Sequence, residues 1–422
     1  MPDPLRDKQI VVGVCGGIAA YKAAAFVRYL MGCGAAVRVI MTEAACAFVG
    51  PVTFQALSGH PVWTRMFSGD TEGAIRHIEW ARKADAVAIV PATANTIAKL
   101  AHGIADDPIS TFVLAVRCPV VVCPSMNVHM FENRTVQANI ERLRQVGMHV
   151  VEPASGPLAC GEEGPGRLPE LETIAEGLRW ALVTQDMAGE RVLVTAGPTR
   201  EALDPVRFLS NASSGKMGFA LARTARRRGA EVVLISGPTA LSDPDGVRTI
   251  HVVTAKEMLD AVMAEAAEAT IVAKAAAVCD WRSREVSPHK LKKDQSDAVW
   301  AFEKTDDILE TLGKQKKDGQ ILVGFAAETQ DLNTNARTKL AQKHLDLVVA
   351  NLVGKEDSGF EVDTNRVRLF YPDGREEDLP LMPKADVADA LWDRIMGLRA
   401  GAEPGKSALY ESGDARSAGH DP

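Results

Sequence analysis

Two glycine-rich turns give this sequence its clearest chemical signal. Gly16 and Gly17 follow the apolar run 9–14, and Gly197 follows the apolar run 192–196. A stretch that can begin a helix comes after each turn, and the unpaired N–H groups and dipole of a helix start attract an anion. A turn that only packs a helix onto a sheet is the alternative at both places. Two anion-binding turns would mean two phosphate-bearing ligands and two active sites in one chain.

The first turn differs from a dinucleotide-binding fingerprint. Residues 13–17 read GVCGG, which lacks the G-x-G-x-x-G spacing, and Met41-Thr42 ends the next apolar run without an acid for a ribose diol. The Thr42 hydroxyl and the amides of Gly16 and Gly17 suit a single phosphate on a ribityl chain. The turn therefore favours flavin mononucleotide (FMN) over a nicotinamide dinucleotide.

Length and composition limit the classes of protein to be considered. The chain has 422 residues, too many for one ordinary core, and is 46% hydrophobic but only 5% aromatic, which suits buried parallel strands. Its net charge of −7 argues against a general nucleic-acid binder. Residues 1–9 are short and polar, so no signal peptide is expected. Arg28 and Arg38 interrupt the longest apolar run, so no membrane segment is expected either. Seven cysteines without CxxC spacing predict reduced thiols and a cytoplasmic location.

The elements that must position these turns alternate between strand and helix. Apolar runs separated by helical stretches predict five strands in the first half, at residues 9–14, 36–41, 86–90, 120–123 and 149–151. The pattern restarts at residue 191, with strands predicted near 231–235, 271–275, 321–325 and 347–350, then a hairpin from 362 to 370 and on past Asp373-Gly374. This alternation is typical of α/β architecture and predicts two doubly wound parallel-sheet domains.

Composition also predicts the domain boundaries. We expect a first domain over residues 1–184, a linker over 185–190, a second domain over 191–400 and a disordered tail over 401–422. Residues 155–169, rich in glycine and proline, are too loose for a regular element. A functional lid and a plain surface connection are both open for this loop.

Five segments around the first turn form a set. They read CGGIAAYK at 15–22, HIE at 77–79, PATANT at 91–96, PSMNVHM at 124–130 and SGPLACGEEGPGR at 155–167. Together they resemble the homo-oligomeric flavin-containing cysteine decarboxylases, many of which have serine in place of Cys15. The resemblance implies a flavodoxin-like fold that binds FMN. The flavin site would comprise Gly16, Gly17, Thr42, Thr93, Asn95, Ser125 and Met126.

The same resemblance implies catalytic roles for three residues. His77 would be the base that forms the substrate thiolate, because an unperturbed histidine titrates near neutrality. Asn127 would hold the substrate carboxylate with its amide. Cys160 would be an acid, because a thiol with a pKa of about 8.5 is mostly protonated at neutral pH. The alternatives are a structural histidine, a turn residue and a small buried hydrophobe.

Such a site needs a flavin because direct decarboxylation of an acylated cysteine would leave a carbanion without an electron sink. Removal of hydride from the carbon bearing sulfur gives a thioaldehyde β to the carboxylate, which accepts the electrons as CO₂ leaves. The resulting enethiolate then takes back a hydride and a proton. The net reaction is redox-neutral.

Segments around the second turn form another set. They read TAGPTRE at 195–201, DPVR at 204–207, SNASSGKMG at 210–218, AAAV at 275–278, KLKK at 290–293 and GFAAE at 324–328. These segments resemble phosphopantothenate–cysteine ligases of Rossmann-like fold. The two sets together resemble the bifunctional decarboxylase–ligases of bacterial coenzyme A biosynthesis. This implies ligation through an acyl-cytidylate made from CTP, with Mg²⁺ bound by ligands that the sequence does not identify.

The ligase resemblance implies two groups of site residues. The CTP site would comprise Lys274, Ala275, Ala276, Asp280, Lys290, Thr305, Asp306, Asp307, Ile308, Phe325, Lys339 and Lys343. The substrate site would comprise Arg207, Ser213, Ser214 and Gly215, with Asn211 and Lys290 as catalytic groups. Lys339 and Lys343 are four residues apart, so a helix points both at a triphosphate or only at solvent. Residues 305–308 read TDDI where the family has NPDI.

Two other functions compete with this enzyme. One is a regulatory flavoprotein of the same fold, which the presence of His77, Asn127 and Cys160 and an attached ligase half disfavour. The other is a nicotinamide-dependent reductase, which the missing fingerprint disfavours. For the enzyme we expect small-molecule substrates, no nucleic acid, no membrane, and a homo-oligomer with decarboxylase trimers and ligase dimers.

Overall fold

The structure is a computed structural model and describes residues 3–66, 76–158, 161–290, 300–328, 332–352 and 362–401. The chain divides into two compact units. The first unit comprises residues 1–186 with 227–229, and the second comprises residues 187–226 with 230–422.

The first unit is an α/β domain with strands and helices in alternation. In chain order its elements are β1 Gln9–Val14, α1 Ala20–Gly32, β2 Ala36–Met41, α2 Glu43–Cys46, α3 Pro51–Ser58, α4 Arg76–Lys83, β3 Ala86–Ala92, α5 Ala94–His102, α6 Pro108–Ala115, β4 Val120–Pro124, α7 Val128–Phe131, α8 Arg134–Gln145, β5 His149–Val150, β6 Ala154–Pro157, β7 Glu163–Arg167 and α9 Leu171–Leu182.

Five strands of this unit form one parallel sheet in the order β2-β1-β3-β4-β5. This is the flavodoxin order, so the predicted fold class is confirmed for the first half. Ligands of such sheets lie beyond the carboxyl ends of the strands, where the order reverses between β1 and β3. The turn at Gly16 and Gly17 lies at that point.

Helices cover both faces of the first sheet. Phe26 of α1, Phe54 of α3 and Leu178 of α9 are fully buried on one face. Phe112 of α6 and Ile140 of α8 are buried on the other. Burial of each such side chain stabilises the fold by about 1.5–3 kcal/mol. The sheet is therefore held rigidly behind the loops at its carboxyl edge.

Residues 154–157 and 163–167 pair as the antiparallel strands β6 and β7, so the expectation of a loop without an element is wrong. Gly164 and Gly166 have φ of +157° and +130°, conformations that side chains rarely adopt. A Cβ on Gly166 would lie 2.3 Å from the carbonyl oxygen of Met126. The glycines that suggested a loose segment instead let two backbones approach closely.

The second unit has more strands and a mixed sheet. Its elements are β8 Arg191–Ala196, β9 Arg200–Ala202, β10 Phe208–Ser210, α10 Lys216–Arg227, β11 Glu231–Ser236, β12 Arg248–His251, α11 Ala255–Ala266, β13 Ile271–Lys274, β14 Trp281–Ser283, β15 Phe302–Lys304, α12 Ile308–Gln315, β16 Ile321–Glu328, α13 Leu332–Gln342, β17 Leu347–Leu352, β18 Thr364–Phe370, β19 Glu376–Pro383 and α14 Lys384–Arg399.

Its large sheet has the order β12-β11-β8-β13-β16-β17-β18-β19. The first six strands are parallel, and counted along the chain they follow the Rossmann order 3-2-1-4-5-6. The β18–β19 hairpin extends the sheet in antiparallel fashion, as the sequence predicted. The order reverses between β8 and β13, so the predicted Rossmann-like fold places a ligand beyond those two strands.

The second glycine turn reaches its helix by a different route from the predicted one. After Gly197 the chain forms the β9–β10 hairpin, and α10 begins only at Lys216. The helix start is nevertheless at the turn, because a Cβ on Gly215 would lie 3.3 Å from the Gly197 Cα. The prediction that a helix directly follows this turn is wrong, since strands of three residues leave little periodicity to detect.

Helices again cover both faces of the large sheet. Trp392 of α14 packs with Phe219 of α10 on one face, and its indole N–H donates to the Leu221 carbonyl at 3.1 Å. Met258 of α11 and Leu312 of α12 are buried on the other face. Among the described residues, no helix combines the length and apolarity needed to cross a membrane.

Candidate active sites

Three backbone contacts bring the strand ends of the first unit together. The Cys15 N–H donates to the Pro91 carbonyl at 3.2 Å, and the Ser125 N–H donates to the Ala92 carbonyl at 3.0 Å. The Thr42 N–H donates to the Val14 carbonyl at 3.1 Å. The loops that follow β1, β2, β3 and β4 therefore lie side by side. They contain all but one of the residues predicted to bind FMN, namely Gly16, Gly17, Thr42, Thr93, Ser125 and Met126, and Asn95 lies in the first turn of α5.

Hydroxyl groups and an open glycine form the anion-binding part of these loops. Thr42 caps α2 by accepting from the Ala45 N–H at 3.2 Å, and Thr93 caps α5 by accepting from the Thr96 N–H at 3.4 Å. The Thr42 hydroxyl can still donate its own proton, whereas the Thr93 hydroxyl also shares a hydrogen bond of 3.2 Å with the Thr96 hydroxyl. A Cβ on Gly17 would have its nearest neighbour, in Thr93, 3.9 Å away, so this glycine borders open space. The donors and the space suit a phosphate.

Cys15 lies beneath the turn rather than in it. Its side chain is fully buried among apolar residues and is hydrogen-bonded to the Thr96 hydroxyl. Burial raises the pKa of the Cys15 thiol to about 11, so the group is neutral. Cys15 thus supports the turn as a small neutral group.

Hydrogen bonds of both its side-chain oxygen and its side-chain nitrogen hold Asn127 in place in the loop after β4. It caps α7, its Oδ1 accepting from the His129 N–H at 2.9 Å. Its Nδ2 donates to the carboxylate of Glu162, which lies just before β7. Glu162 Oε1 is also 3.3 Å from His129 Nε2. Sequence reasoning missed Glu162, although it lies two residues after Cys160 in a segment already singled out.

The other two predicted catalytic residues are only partly placed. His77 belongs to α4, which precedes β3, but its side chain lies outside the described residues. Cys160 lies outside the described residues, between β6 and β7. Met126 connects this hairpin to the site, because its N–H donates to the Gly166 carbonyl at 2.9 Å. The roles of His77 and Cys160 stay predictions.

In the second unit, hydrogen bonds of two threonines connect the end of β8 and the loop after it to the loop after β13. Thr195 Oγ1 accepts from the Ala276 N–H at 3.1 Å. Thr199 Oγ1 accepts from the Cys279 N–H at 2.9 Å, and the Thr199 N–H donates to the Ala277 carbonyl at 3.3 Å. These bonds hold the backbone of 275–279 at the switch point. Both threonines belong to the TAGPTRE segment, but nothing in the sequence assigned either of them this role.

Asn211 is part of the same arrangement. Its Nδ2 donates to the carbonyls of Ala277 and Val278, at 3.1 and 3.0 Å. The Ser213 hydroxyl accepts from the Gly215 N–H at 3.4 Å just before α10. The structure thus brings Asn211 and the residues 213–215 to the predicted site, with the Asn211 donors turned toward the protein backbone.

Three of the four lysines predicted to bind CTP, Lys274, Lys339 and Lys343, lie close together beside β13 and β16. Burial, together with the charges of Lys339 and Lys343, lowers the pKa of Lys274 to about 8. The Lys339 ammonium donates to the Phe325 carbonyl at 2.7 Å, and the Lys343 ammonium pairs with Asp307. Burial alone would raise the pKa of Asp307, but its hydrogen bond from Lys343 holds the value below the ordinary one. Lys274, Lys339 and Lys343 therefore form a cationic cluster at the carboxyl edge of the large sheet.

The segment that departs from the family pattern has defined structural contacts. The Thr305 hydroxyl donates to the Cys279 carbonyl at 2.6 Å, and the Thr305 N–H donates to the Asp280 carbonyl at 3.0 Å. Asp307 caps α12 by accepting from the Glu310 N–H at 3.0 Å. Thr305 therefore holds the loop after β13.

Three other residues predicted for the ligase site, Ile308, Arg207 and Lys290, lie in three different environments. The Ile308 side chain is buried in the core beside α11. The Arg207 guanidinium pairs with the buried Asp204 at 2.9 Å. Lys290 is exposed, and residues 291–293 of its basic run lie outside the described residues.

Two family models match the chain. The Flavoprotein family matches residues 1–181, and the DNA/pantothenate metabolism flavoprotein C-terminal domain matches residues 187–398. The coenzyme A biosynthesis bifunctional protein CoaBC of Bacillus subtilis is 48% identical over 398 residues, 93% of this chain and 98% of that protein. CoaBC of Escherichia coli is 44% identical over 396 residues, which are 93% of this chain and 97% of that protein. The crystal structure of the C-terminal domain of a CoaBC is 43% identical, covers 51% of this chain and 100% of its own, and has a TM-score of 0.45.

A flavodoxin-ordered domain followed by a Rossmann-ordered domain, each with a glycine turn at its switch point, defines a two-domain α/β enzyme. The chain belongs to the family of coenzyme A biosynthesis bifunctional proteins. The resemblance inferred from the motifs is confirmed, and so is the expectation of a decarboxylase joined to a phosphopantothenate–cysteine ligase. This catalytic interpretation is favoured over the regulatory flavoprotein.

Proposed function

We propose that this chain ligates cysteine to 4′-phosphopantothenate through an acyl-cytidylate made from CTP, then decarboxylates the product to 4′-phosphopantetheine with FMN. One observation carries the proposal. In each unit, residues from motifs far apart in sequence converge at the switch point of that unit's own sheet. The substrates are small molecules, and the domains proposed are those predicted from the sequence, residues 1–184 and 191–400.

The loops of the first unit fit FMN. Gly16, Gly17, Thr42 and Thr93 offer main-chain and hydroxyl groups around open space. Asn95 of α5 would complete the site together with Ser125 and Met126 from the loop after β4. When bound, FMN supplies hydride acceptance from the carbon bearing sulfur and hydride return to it.

Three side chains of the first unit would handle protons and charge. Asn127, oriented by its cap of α7, would donate from Nδ2 to the substrate carboxylate. His77 would remove the thiol proton, and Cys160 would protonate the carbon that has lost CO₂. The hairpin of β6 and β7, which packs on the loop after β4, would bring Cys160 over the substrate.

The cationic cluster of the second unit would bind the CTP triphosphate. Lys274, Lys339 and Lys343 share one edge of the sheet, and a polyanion would compensate their mutual repulsion. Ala275, Ala276 and Asp280 would contact the nucleotide from the loop that Thr305 holds. Thr305, Asp306, Asp307 and Phe325 would line the rest of that site, to which Ile308 could contribute only main-chain atoms because its side chain is buried in the core. Mg²⁺ would accompany the triphosphate.

The pantothenate side of the ligase site would lie by α10. Arg207, Ser213, Ser214 and Gly215 would bind the acyl substrate, at the positive end of the helix dipole. Asn211 would hydrogen-bond the acyl-cytidylate, and Lys290 would offset negative charge while it forms. The amine of cysteine would then displace CMP and form the amide.

Assembly and location complete the proposal. We expect trimers of the first domain and dimers of the second, and a cytoplasmic enzyme. The six cysteines in the described part of the chain are free thiols, which suits a reducing compartment.

The proposal is tested with the purified full chain. With 4′-phosphopantothenate, cysteine and Mg²⁺, we expect CTP to support pyrophosphate release and formation of 4′-phosphopantetheine. Anaerobic addition of phosphopantothenoylcysteine should transiently bleach the bound flavin. A yellow protein that releases no pyrophosphate and is not bleached by this substrate would instead support the regulatory flavoprotein.

A further inference from the structure

Glu162 makes a contact that the proposed mechanism does not use. It lies in the described residues between Cys160 and β7, with 41% of its side chain exposed. Oε2 accepts from Asn127 Nδ2, and Oε1 is 3.3 Å from His129 Nε2. One carboxylate therefore contacts the side chains of Asn127 and of His129 in α7.

The amide of Asn127 cannot turn away from Glu162 without losing its own anchor. Its Oδ1 is engaged by the His129 N–H at the start of α7, which fixes the direction of Nδ2. Nδ2 is also the donor that the proposed function assigns to the substrate carboxylate. A second carboxylate at this donor meets the negative charge of Glu162 at close range, and the repulsion is largest where water is excluded.

We infer that Glu162 is a specificity-determining residue that occupies the Asn127 donor until the substrate carboxylate displaces it. The inference rests on the proposed decarboxylase function. Glu162 stands in for a substrate carboxylate in the free enzyme, and it returns to Asn127 when the bound carboxylate has left as CO₂. The product has no carboxylate, so it does not compete with Glu162 for this donor.

Glu162→Gln tests this competition because glutamine keeps the length but accepts a weaker, neutral hydrogen bond. We expect the KM of phosphopantothenoylcysteine to fall about fivefold, since the competing anion is gone. The inhibition constant of 4′-phosphopantetheine, which lacks the carboxylate, should change less than about twofold. Flavin absorbance checks that the variant has folded.

Glu163→Gln is the matched control. Glu163 is the next residue, is exposed, and opposes Pro157 across the hairpin rather than Asn127. The same loss of charge there should change neither constant. An unchanged or raised KM in Glu162→Gln, or equal shifts for substrate and product, would overturn the inference and leave Glu162 as a hairpin anchor. Absence of turnover in the unmodified enzyme would count against the proposed function instead.

Discussion

At the scale of single residues, the unusual electrostatics of the ligase site centre on Lys274. Its ammonium is buried beside Lys339 and Lys343, with the opposing charges of Asp307 and Asp280 nearby. Its pKa of about 8, against the ordinary 10.5, means that the charged form costs stability below pH 8. That cost disappears as the pH rises from about 8 through 10.5. A triphosphate bound at the cluster would raise this pKa again.

The affinity for CTP should therefore depend on pH. We expect proton uptake when CTP binds near pH 8, and a loss of affinity of up to about tenfold per pH unit above that value. Calorimetry in buffers of different ionisation enthalpy measures both. Lys274→Gln should weaken CTP binding, remove the pH dependence and raise the melting temperature at pH 7. Lys314→Gln, an exposed charge on α12, is the control and should do none of these. A pH-independent affinity in the unmodified enzyme would contradict the assignment.

Substitutions of Thr305 test whether threonine, in place of the family's asparagine, still holds the loop after β13 for CTP binding. Thr305→Val leaves the Cys279 carbonyl without its donor, at a cost of about 1–3 kcal/mol, so the KM for CTP should rise about tenfold. Thr305→Asn, which introduces the residue of the family, keeps a donor and should stay within about threefold of the unmodified enzyme. Steady-state kinetics with varied CTP compares the two. If Thr305→Val and the unmodified enzyme have equal KM values for CTP, this hydrogen bond does not position the loop.

The motifs predicted which residues belong to the sites, but not which residues those side chains hydrogen-bond to. Lys274, Lys339 and Lys343 were predicted to act together, and the structure brings them to one place. Thr195 and Glu162 were missed, because each acts through a hydrogen bond to a residue far away in the chain. A polar residue at a strand end or in a loop has many ordinary reasons to be there, and the sequence does not choose among them.

At the scale of elements, apolar runs predicted the sheets well because a buried parallel strand has few alternatives. Predicted strands at 9–14 and 36–41 coincide with β1 and β2. The errors lie where glycine or very short strands control the backbone, in the β6–β7 and β9–β10 hairpins. There the conformation is decided by tertiary contacts such as the approach of Gly166 to Met126, which local propensity does not contain.

Gly166→Ala should detach the β6–β7 hairpin from the loop after β4. Its Cβ would lie 2.3 Å from the Met126 carbonyl oxygen, and relief of that overlap costs about 1–3 kcal/mol. Decarboxylation should fall at least tenfold while ligation is unchanged. Gly161→Ala is the control, because its φ is +86° but a Cβ there meets nothing within 4 Å. Rates of CO₂ and pyrophosphate release measure the two activities, and equal effects of the variants would remove the close contact as the cause.

At the scale of the whole molecule, each half carries its own sheet, core and site. Met187 is fully buried in the core of the second unit, so the first unit ends just before it. We expect the fragment 1–186 to fold alone and to bind FMN, because every predicted flavin contact lies within it. Absorbance near the flavin bands after gel filtration measures this. A folded fragment that stays colourless with added FMN would place part of the flavin site elsewhere.

Two consecutive reactions in one chain should release their products in a fixed ratio. The full chain is supplied with 4′-phosphopantothenate, CTP, Mg²⁺ and cysteine labelled at its carboxyl carbon. We expect labelled CO₂ and pyrophosphate to be released at equal rates once phosphopantothenoylcysteine has reached its steady level. Pyrophosphate without labelled CO₂, or a flavin-bearing protein that releases neither, would show that the chain does not carry out both reactions.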